Sequence, residues 1–371
     1  GDVQEIAQST QMQKRVESGN FAAVLAQMAK DAKRGALTMA RAGLDACRDV
    51  DLLLAGIGGL FTALAVAEKL SLPLIQAHYI PFTPTRAYPS FLVPKLPPAV
   101  KGALGGAYNR ISYGLARQMI WQGFRSADRM ARSDVLHLPP APLLGPFDAA
   151  ATRDSPVLYG YSPCVIPRAP DWDSSIHVTG YWFLDSDTGW TPPDDLAAFL
   201  EAGPPPVFVG FGSMSSRKPE EAAALIVSAL AHAERRAVLL SGWGGLRAAE
   251  LPDTIMMVES VPYDWLFPRV AAVVHHGGAG TTSAGLRAGV PSIVVPFFGD
   301  QPFWGQRIAD LGVGPAPIPR RKLTADRLAR AIRQAVTDDD MKQAAADLGR
   351  RIRAEDGVAH AVGVIGQFAE H

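Results

Sequence analysis

The C-terminal half of the chain alternates short apolar runs with amphipathic stretches. PVFVGFG (206–212), AVLLSG, TIMMVES, AAVVHH and PSIVVP are each a few residues long, rich in Val and Ile, and most are closed by Gly or Ser. Runs of that length and composition predict buried parallel strands, and the segments between them, such as KPEEAAALIVSALAHAERR and TSAGLRAG, predict helices. In the N-terminal half, VDLLLAG (50–56), GLFTALAVAEKL and LPLIQAHYI (72–80) read as strand, helix, strand, one βαβ unit of a parallel sheet. A helix-rich stretch from Gln11 to Cys47 precedes it. Residues 81–105 are dense in proline and aromatics, and the next helix carries Tyr108, Ile111, Leu115, Met119 and Trp121. DSDTGWTPPDDLAAFLEAGPPP has the Pro, Gly and Asp content of a linker or crossover. The pattern predicts an α/β protein of two doubly wound, Rossmann-like domains facing each other across a cleft. The boundaries expected are 1–180, a linker over 181–204, a second domain over 205–352, and a final helix over 353–371 packing back on the first domain.

Composition narrows the function. A chain of 371 residues exceeds what one hydrophobic core usually serves, which agrees with two domains. Thirty-six basic against 36 acidic residues give a formal net charge of zero, with no electrostatic footprint for nucleic acid. Cys47 and Cys164 stand far apart and outside any CxxC spacing, so neither a disulfide framework nor a zinc site is indicated. No run reaches the roughly 18 apolar residues of a spanning helix, and GDVQEIAQST lacks the regions of a signal peptide. The expectation is a cytoplasmic protein, with peripheral membrane contact open because Lys95, Lys101, Arg110 and Arg117 interleave with the apolar stretch from Phe82 to Trp121. An ordinary packed helix with a solvated basic face accounts for the same residues.

The chemistry concentrates in VVHHGGAGTT (273–282). A strand ends, glycines turn the chain, and a helix begins, so the N–H groups of Gly280, Thr281 and Thr282 are expected to lie unpaired at a helix N-terminus. Orphan donors and the positive end of the helix dipole both favour phosphate. His276 stands ready to donate to a diphosphate oxygen, and the two threonine hydroxyls could add donors. The bland alternative is a tight strand-to-helix connection. A Walker loop is excluded because no G-K-S/T follows. An NAD fingerprint is a weak rival: Gly278 and Gly280 fit GxGxxG, but Ser283 occupies the third place, and GIGG (56–59) has Phe61 there. Further on, PFFGDQPFWGQR sets Asp300 and Gln301 among aromatic residues, an acid and an amide suited to sugar hydroxyls. Asp300 as a simple helix cap explains that stretch equally well.

HHGGAGTTSAGLRAGVPSIVVPFFGDQPFWGQRIADLGVGPAPIPRRKLT resembles the donor-binding signature of the GT1-type, UDP-sugar-dependent glycosyltransferases of the GT-B fold. The similarity is strongest to the branch holding sterol 3-beta-glucosyltransferases and the glycosyltransferases of glycopeptide antibiotic biosynthesis. FVGFGSMSSR, LLSGWGGL, VPYDWLFPRV and RAEDGVAHAV match that branch too, and PFTPTRAYP, GGAYNRISY and GYSPCVIPRAPDW match it more loosely. The resemblance implies that His276, Gly278, Gly280 and Thr281 hold the donor diphosphate, that Asp300 and Gln301 hold the sugar, that Ser213 forms a second donor-side loop, and that Trp243 and Val261 flank the nucleoside. It implies an inverting transfer of a hexose, such as glucose, to a hydroxyl of a hydrophobic acceptor such as a sterol, polyketide or phenolic. No cofactor or metal is expected: the DxD at Asp185–Asp187 and the acidic run 338–340 read as solvated.

The family opens with a strand and a loop whose aspartate is the proposed base. Here GDVQEIAQS is followed by residues that resemble a later segment, so the first βαβ elements are expected to be absent, and Asp2 is a weak base candidate. His78, at the end of QAHY, is the alternative base, with Thr83 and Thr85 as acceptor-pocket residues. A catalytically impaired nucleotide- or lipid-binding protein of the same fold and, more remotely, an NAD-dependent oxidoreductase are the competing readings.

Overall fold

The structure is a computed structural model, and it describes residues 21–93, 104–147, 149, 152, 154–185, 189–212, 219–241 and 251–370. They fall into two compact units, Ala22–Trp182 with the residues from Asp356 onward, and Phe183–Glu355.

The first unit begins with helix α1 (Phe21–Ala46), followed by β1 (Leu53–Ala55), α2 (Leu60–Leu70), β2 (Leu74–His78), the long α3 (Gly105–Ala131), which continues as a π-helical turn over Arg132–Leu136, then β3 (Val157–Tyr159) and β4 (Ile176–Val178). The strands form one parallel sheet in the order β1-β2-β3-β4. The βαβ unit stands where the apolar runs place it. β3 and β4 are only three residues long, too short for a periodic signal in the sequence. Helix α3 turns a different face inward from the one its large apolar residues suggest. Tyr113, Ala116, Ile120 and Trp121 are buried, whereas Ile111, Leu115 and Met119 are 62%, 58% and 40% exposed. Trp121 decides the rotation: its ring meets Phe61 edge-on at 5.0 Å and its indole N–H reaches the Leu143 carbonyl at 2.9 Å.

The second unit contains α4 (Asp194–Glu201), β5 (Val207–Gly210), α5 (Pro219–Ala233), β6 (Ala237–Leu240), β7 (Ile255–Val258), the single turn α6 (Tyr263–Leu266), β8 (Ala272–His275), α7 (Ala279–Ala288), β9 (Ser292–Val294), α8 (Gln301–Asp310), α9 (Ala325–Thr337) and α10 (Asp339–Arg353). All five strands are parallel, in the order β7-β6-β5-β8-β9. Side chains alternate between two covered faces: Val207, Val209, Leu239 and Val274 pack with α5 and α9, and Phe208, Val238, Leu240 and Val273 pack on the other side. Helix α4 lies inside the stretch expected to be a linker, yet its Leu196 joins the second core. Helix α11 (Gly357–Ala369) belongs to the first unit, where Ala361 packs on Ile75 and Leu158. Its first residue must be small, because a Cβ on Gly357 would stand 2.4 Å from the Tyr181 carbonyl oxygen. Among the described residues no helix is long and apolar enough to cross a membrane.

Candidate functional site

The strand order of the second unit reverses direction between β5 and β8, and open parallel sheets bind ligands outside the carboxyl ends of the strands at such a switch point. There the loop after β5 meets the loop after β8. Gly212 adopts φ +58°, and a Cβ on it would stand 3.1 Å from Cε1 of His276. Gly277 adopts φ +89°, with Val294 at 2.7 Å and the Gln301 carbonyl oxygen at 3.0 Å from where its Cβ would be. Gly278 is the N-cap of α7, and a Cβ there would strike His276 Nε2 at 2.4 Å. These glycines let the chain reverse and let the imidazole lie across the helix entrance. Gly280 differs: no atom lies within 4 Å of its missing Cβ. Neither packing nor positive φ demands glycine at that point, so the tight-connection explanation covers Gly277 and Gly278 but leaves Gly280 over open space at the helix N-terminus.

The donor set differs in detail from the expected one. Thr282 N–H is already bonded to the Gly278 carbonyl at 2.9 Å, so the groups that lead out of α7 are those of Ala279, Gly280 and Thr281. Thr282 is fully buried and its hydroxyl is closed off. Thr281 is half-buried at the first turn of α7. What this turn can offer an anion is therefore backbone N–H groups, His276 and the Thr281 hydroxyl, without that of Thr282. Ser283 Oγ donates back to the Gly280 carbonyl at 2.8 Å, and close helix–strand packing falls to Gly285, whose Cβ would lie 2.7 Å from Ser292 Oγ. A dinucleotide fingerprint gives that packing to its third glycine, where this chain has Ser283, so the GxGxxG match does not extend to the geometry.

Both histidines are held neutral. His275 is fully buried, its Nδ1 accepts from Gly277 N–H at 3.1 Å, so its proton sits on Nε2, and burial with the neighbouring His276 depresses its pKa to about 3. Burial lowers His276 to about 4, and its Nδ1 is enclosed without a partner. A neutral imidazole still carries one N–H to donate, and an anion at the helix entrance would raise the pKa of His276 by favouring its protonated form.

Asp300 is the N-cap of α8, but its side chain makes no capping bond. Its Oδ2 instead accepts from Trp304 Nε1 at 3.0 Å, and burial raises its pKa. Gln301 is almost fully buried, and its Oε1 accepts from Phe297 and Phe298 N–H at 2.8 and 3.2 Å. That carbonyl shapes the loop that presents Asp300. The sequence carried the Trp304 partnership as an i, i+4 spacing. Val261 packs its side chain in the core with Phe208 and Leu266, leaving only its backbone for a nucleoside. Asp185 pairs with Arg287 at 2.6 Å. Ser213, Trp243 and Asp2 lie outside the described residues.

On the first unit, the structure overturns two expectations. His78 is 1% exposed, packed against Phe82 and Tyr159, with Nε2 at 3.2 Å from Gln76 Oε1, and burial together with the Arg117 charge lowers its pKa to about 3. A sealed imidazole of such low basicity is a poor proton acceptor, and the base role is withdrawn from it. Thr85 is fully buried and its hydroxyl donates to Asp171, so it holds the loop and lines no open pocket. The half-buried Thr83 accepts from the Tyr159 hydroxyl at 2.7 Å.

Comparison with known proteins agrees with this geometry. Residues 238–362 match the family model of the erythromycin biosynthesis protein CIII-like C-terminal domain. The chain is 41% identical over 298 residues to sterol 3-beta-glucosyltransferase UGT80A2 of Arabidopsis thaliana, covering 80% of this chain and 45% of that protein. It is 38% identical over 370 residues to the sterol 3-beta-glucosyltransferase of Aspergillus clavatus, covering 96% of this chain and 25% of that protein. The chain thus spans less than half the length of these relatives. Among solved structures it resembles the glycosyltransferase of kitacinnamycin, with a TM-score of 0.62 and 20% identity over 93% of this chain and 82% of that one. The glycosyltransferase VinC in complex with dTDP gives 0.59 and 19% over 100% and 83%. The fold is that of the GT-B glycosyltransferases. In sequence the chain is similar to GT1-type glycosyltransferases near the sterol glucosyltransferase branch.

Proposed function

We propose that this chain transfers a hexose, glucose in the first instance, from a UDP-sugar to the hydroxyl of a hydrophobic acceptor of sterol type. The observation that carries the proposal is the entrance of α7, where three leading N–H groups, a neutral imidazole and the open space at Gly280 converge. Negative charge grows on the departing diphosphate, and fixed donors at a helix N-terminus stabilise it without reorganisation. The acceptor hydroxyl attacks the anomeric carbon as the diphosphate leaves with the bonding pair, in one displacement that inverts the centre, and the hydroxyl proton passes to water or to the departing diphosphate. Asp300, held by Trp304, is the acceptor for sugar hydroxyls, and its loop is shaped by Gln301. The helix-end donors make a metal unnecessary for the leaving group. The sterol-type acceptor follows the names of the relatives, and the action is assigned to the cytoplasm, with peripheral contact to a membrane holding the acceptor.

The test is transfer of labelled glucose from UDP-glucose to cholesterol with EDTA present, for the wild-type chain and Asp300→Asn. A β-linked product from the wild type and a drop in kcat of about 100-fold in Asp300→Asn are expected. A strict Mg2+ requirement or an α-linked product contradicts the mechanism. The burial of His78 favours a second reading, a nucleotide-binding protein without turnover, and tight UDP binding with no transfer would select it.

A further inference from the structure

The segment that follows β2, Phe82–Ser90, takes its shape from side chains far away in the sequence. Tyr159, at the end of β3 and fully buried, accepts the N–H groups of Phe82 and Thr83 at 3.0 and 2.7 Å and donates to Thr83 Oγ1 at 2.7 Å. Asp171 accepts the Thr85 hydroxyl and, at 2.8 Å, the Arg86 N–H. The Trp172 indole donates to the Pro84 carbonyl at 3.2 Å and stacks on Tyr159 with ring centres 5.1 Å apart and planes 15° apart. Helix α3 adds Asn109 to the Arg86 carbonyl at 2.9 Å, Ser112 Oγ to the Ser90 N–H at 2.8 Å, and Arg117 Nε to the Phe82 carbonyl at 3.3 Å. A segment outside any sheet ladder ordinarily loses conformational entropy when a ligand orders it. Here the ordering is built in. The clamp also consumes the threonine hydroxyls, and it leaves Arg86 and Ala87 facing solvent at the carboxyl ends of β2 and β3.

We infer that Tyr159 and Asp171 are positioning residues for the acceptor: they hold Phe82–Ser90 in the shape that receives it without touching it. The inference rests on the glycosyl-transfer reading above and adds which residues set acceptor affinity. Ligands of parallel sheets gather at the carboxyl ends of strands, where this segment lies. The donor elements belong to the other unit and share none of these contacts. Loosening the clamp therefore acts on the acceptor alone.

Two variants test it. Tyr159→Phe keeps the ring on Trp172 and removes one oxygen, leaving two N–H groups without their acceptor. Asp171→Ala acts from an exposed position, where folding is not at stake. Initial rates with UDP-glucose and cholesterol in detergent micelles, UDP binding by calorimetry, and hydrogen exchange of the 82–90 amides are measured on the full chain. Each variant is expected to raise the cholesterol KM about tenfold, to leave kcat and UDP affinity within about twofold, and to speed exchange at Arg86 for Asp171→Ala and at Phe82 and Thr83 for Tyr159→Phe. A UDP-binding, active wild type whose cholesterol KM is unmoved in both variants, or whose variants lose kcat and not KM, overturns the inference alone. A wild type that neither binds UDP nor glucosylates cholesterol overturns it together with the reading beneath it.

Discussion

Two turns that follow parallel strands, His276–Thr282 after β8 and Phe82–Ser90 after β2, are built on opposite plans. The first is shaped by its own residues: Gly277 and Gly278 permit the backbone path and let His276 lie over the helix entrance. The second is shaped by Tyr159, Asp171, Trp172 and α3, with hydrogen bonds spanning 76 to 88 residues of sequence to the first three. A site for a diphosphate can be made from contiguous backbone, because the ligand is small, charged and always the same. A wall for a large apolar ligand needs a surface of chosen shape, which only tertiary contacts supply.

That contrast can be broken by substitution. The largest effect is expected from Gly277→Ala, where positive φ combines with contacts to Val294 and the Gln301 backbone. It should cost about 4 kcal/mol in urea unfolding, and a cost near zero would mean that the turn has another path. Acidification comes next. His78, His275 and His276 have folded pKa values depressed to about 3, 3 and 4. The unfolded chain takes up protons near pH 6.5 while the folded one does not, so stability is fully present above about pH 6.5 and falls as the pH drops toward 4. A loss of about 2 kcal/mol between pH 7.5 and pH 6 is expected in denaturation curves, and a flat profile would contradict the burial of these rings. Gly278→Ala pushes only the movable His276 ring, so it should spare most of the stability and weaken UDP about tenfold by calorimetry. Gly280→Ala is the smallest change. It should raise stability by about 0.5 kcal/mol through helix propensity while still weakening UDP, because the added methyl enters the ligand's space. Unchanged UDP affinity there would move the phosphate away from α7.

The same contrast explains what the sequence disclosed. The five strands of the second unit were legible because each is a continuous apolar run covered on both faces, as Val207–Gly210 and Ala272–His275 illustrate. The glycine-rich turn after β8 was legible because glycine, histidine and helix start are adjacent in the chain. What was missed inside it, the burial of Thr282 and the use of its N–H by Gly278, depends on where the helix register falls, to one residue. In the first unit the reading erred where function was assigned to side chains whose partners are remote. Thr85 and His78 look available in sequence, and only the folded Asp171, Phe82 and Tyr159 show that they are enclosed. Helix α3 was legible, but not which face it buries, because Ile111 and Leu115 are exposed while Tyr113 and Ala116 are enclosed.

The central claim is that the entrance of α7 holds a diphosphate. Calorimetric titration with UDP and with uridine, in EDTA, on the wild type and on His276→Ala, tests it most directly. The account predicts metal-free UDP binding at least about 100-fold tighter than uridine, with most of that advantage lost in His276→Ala. Equal affinity for UDP and uridine, or an advantage untouched by the substitution, would contradict it.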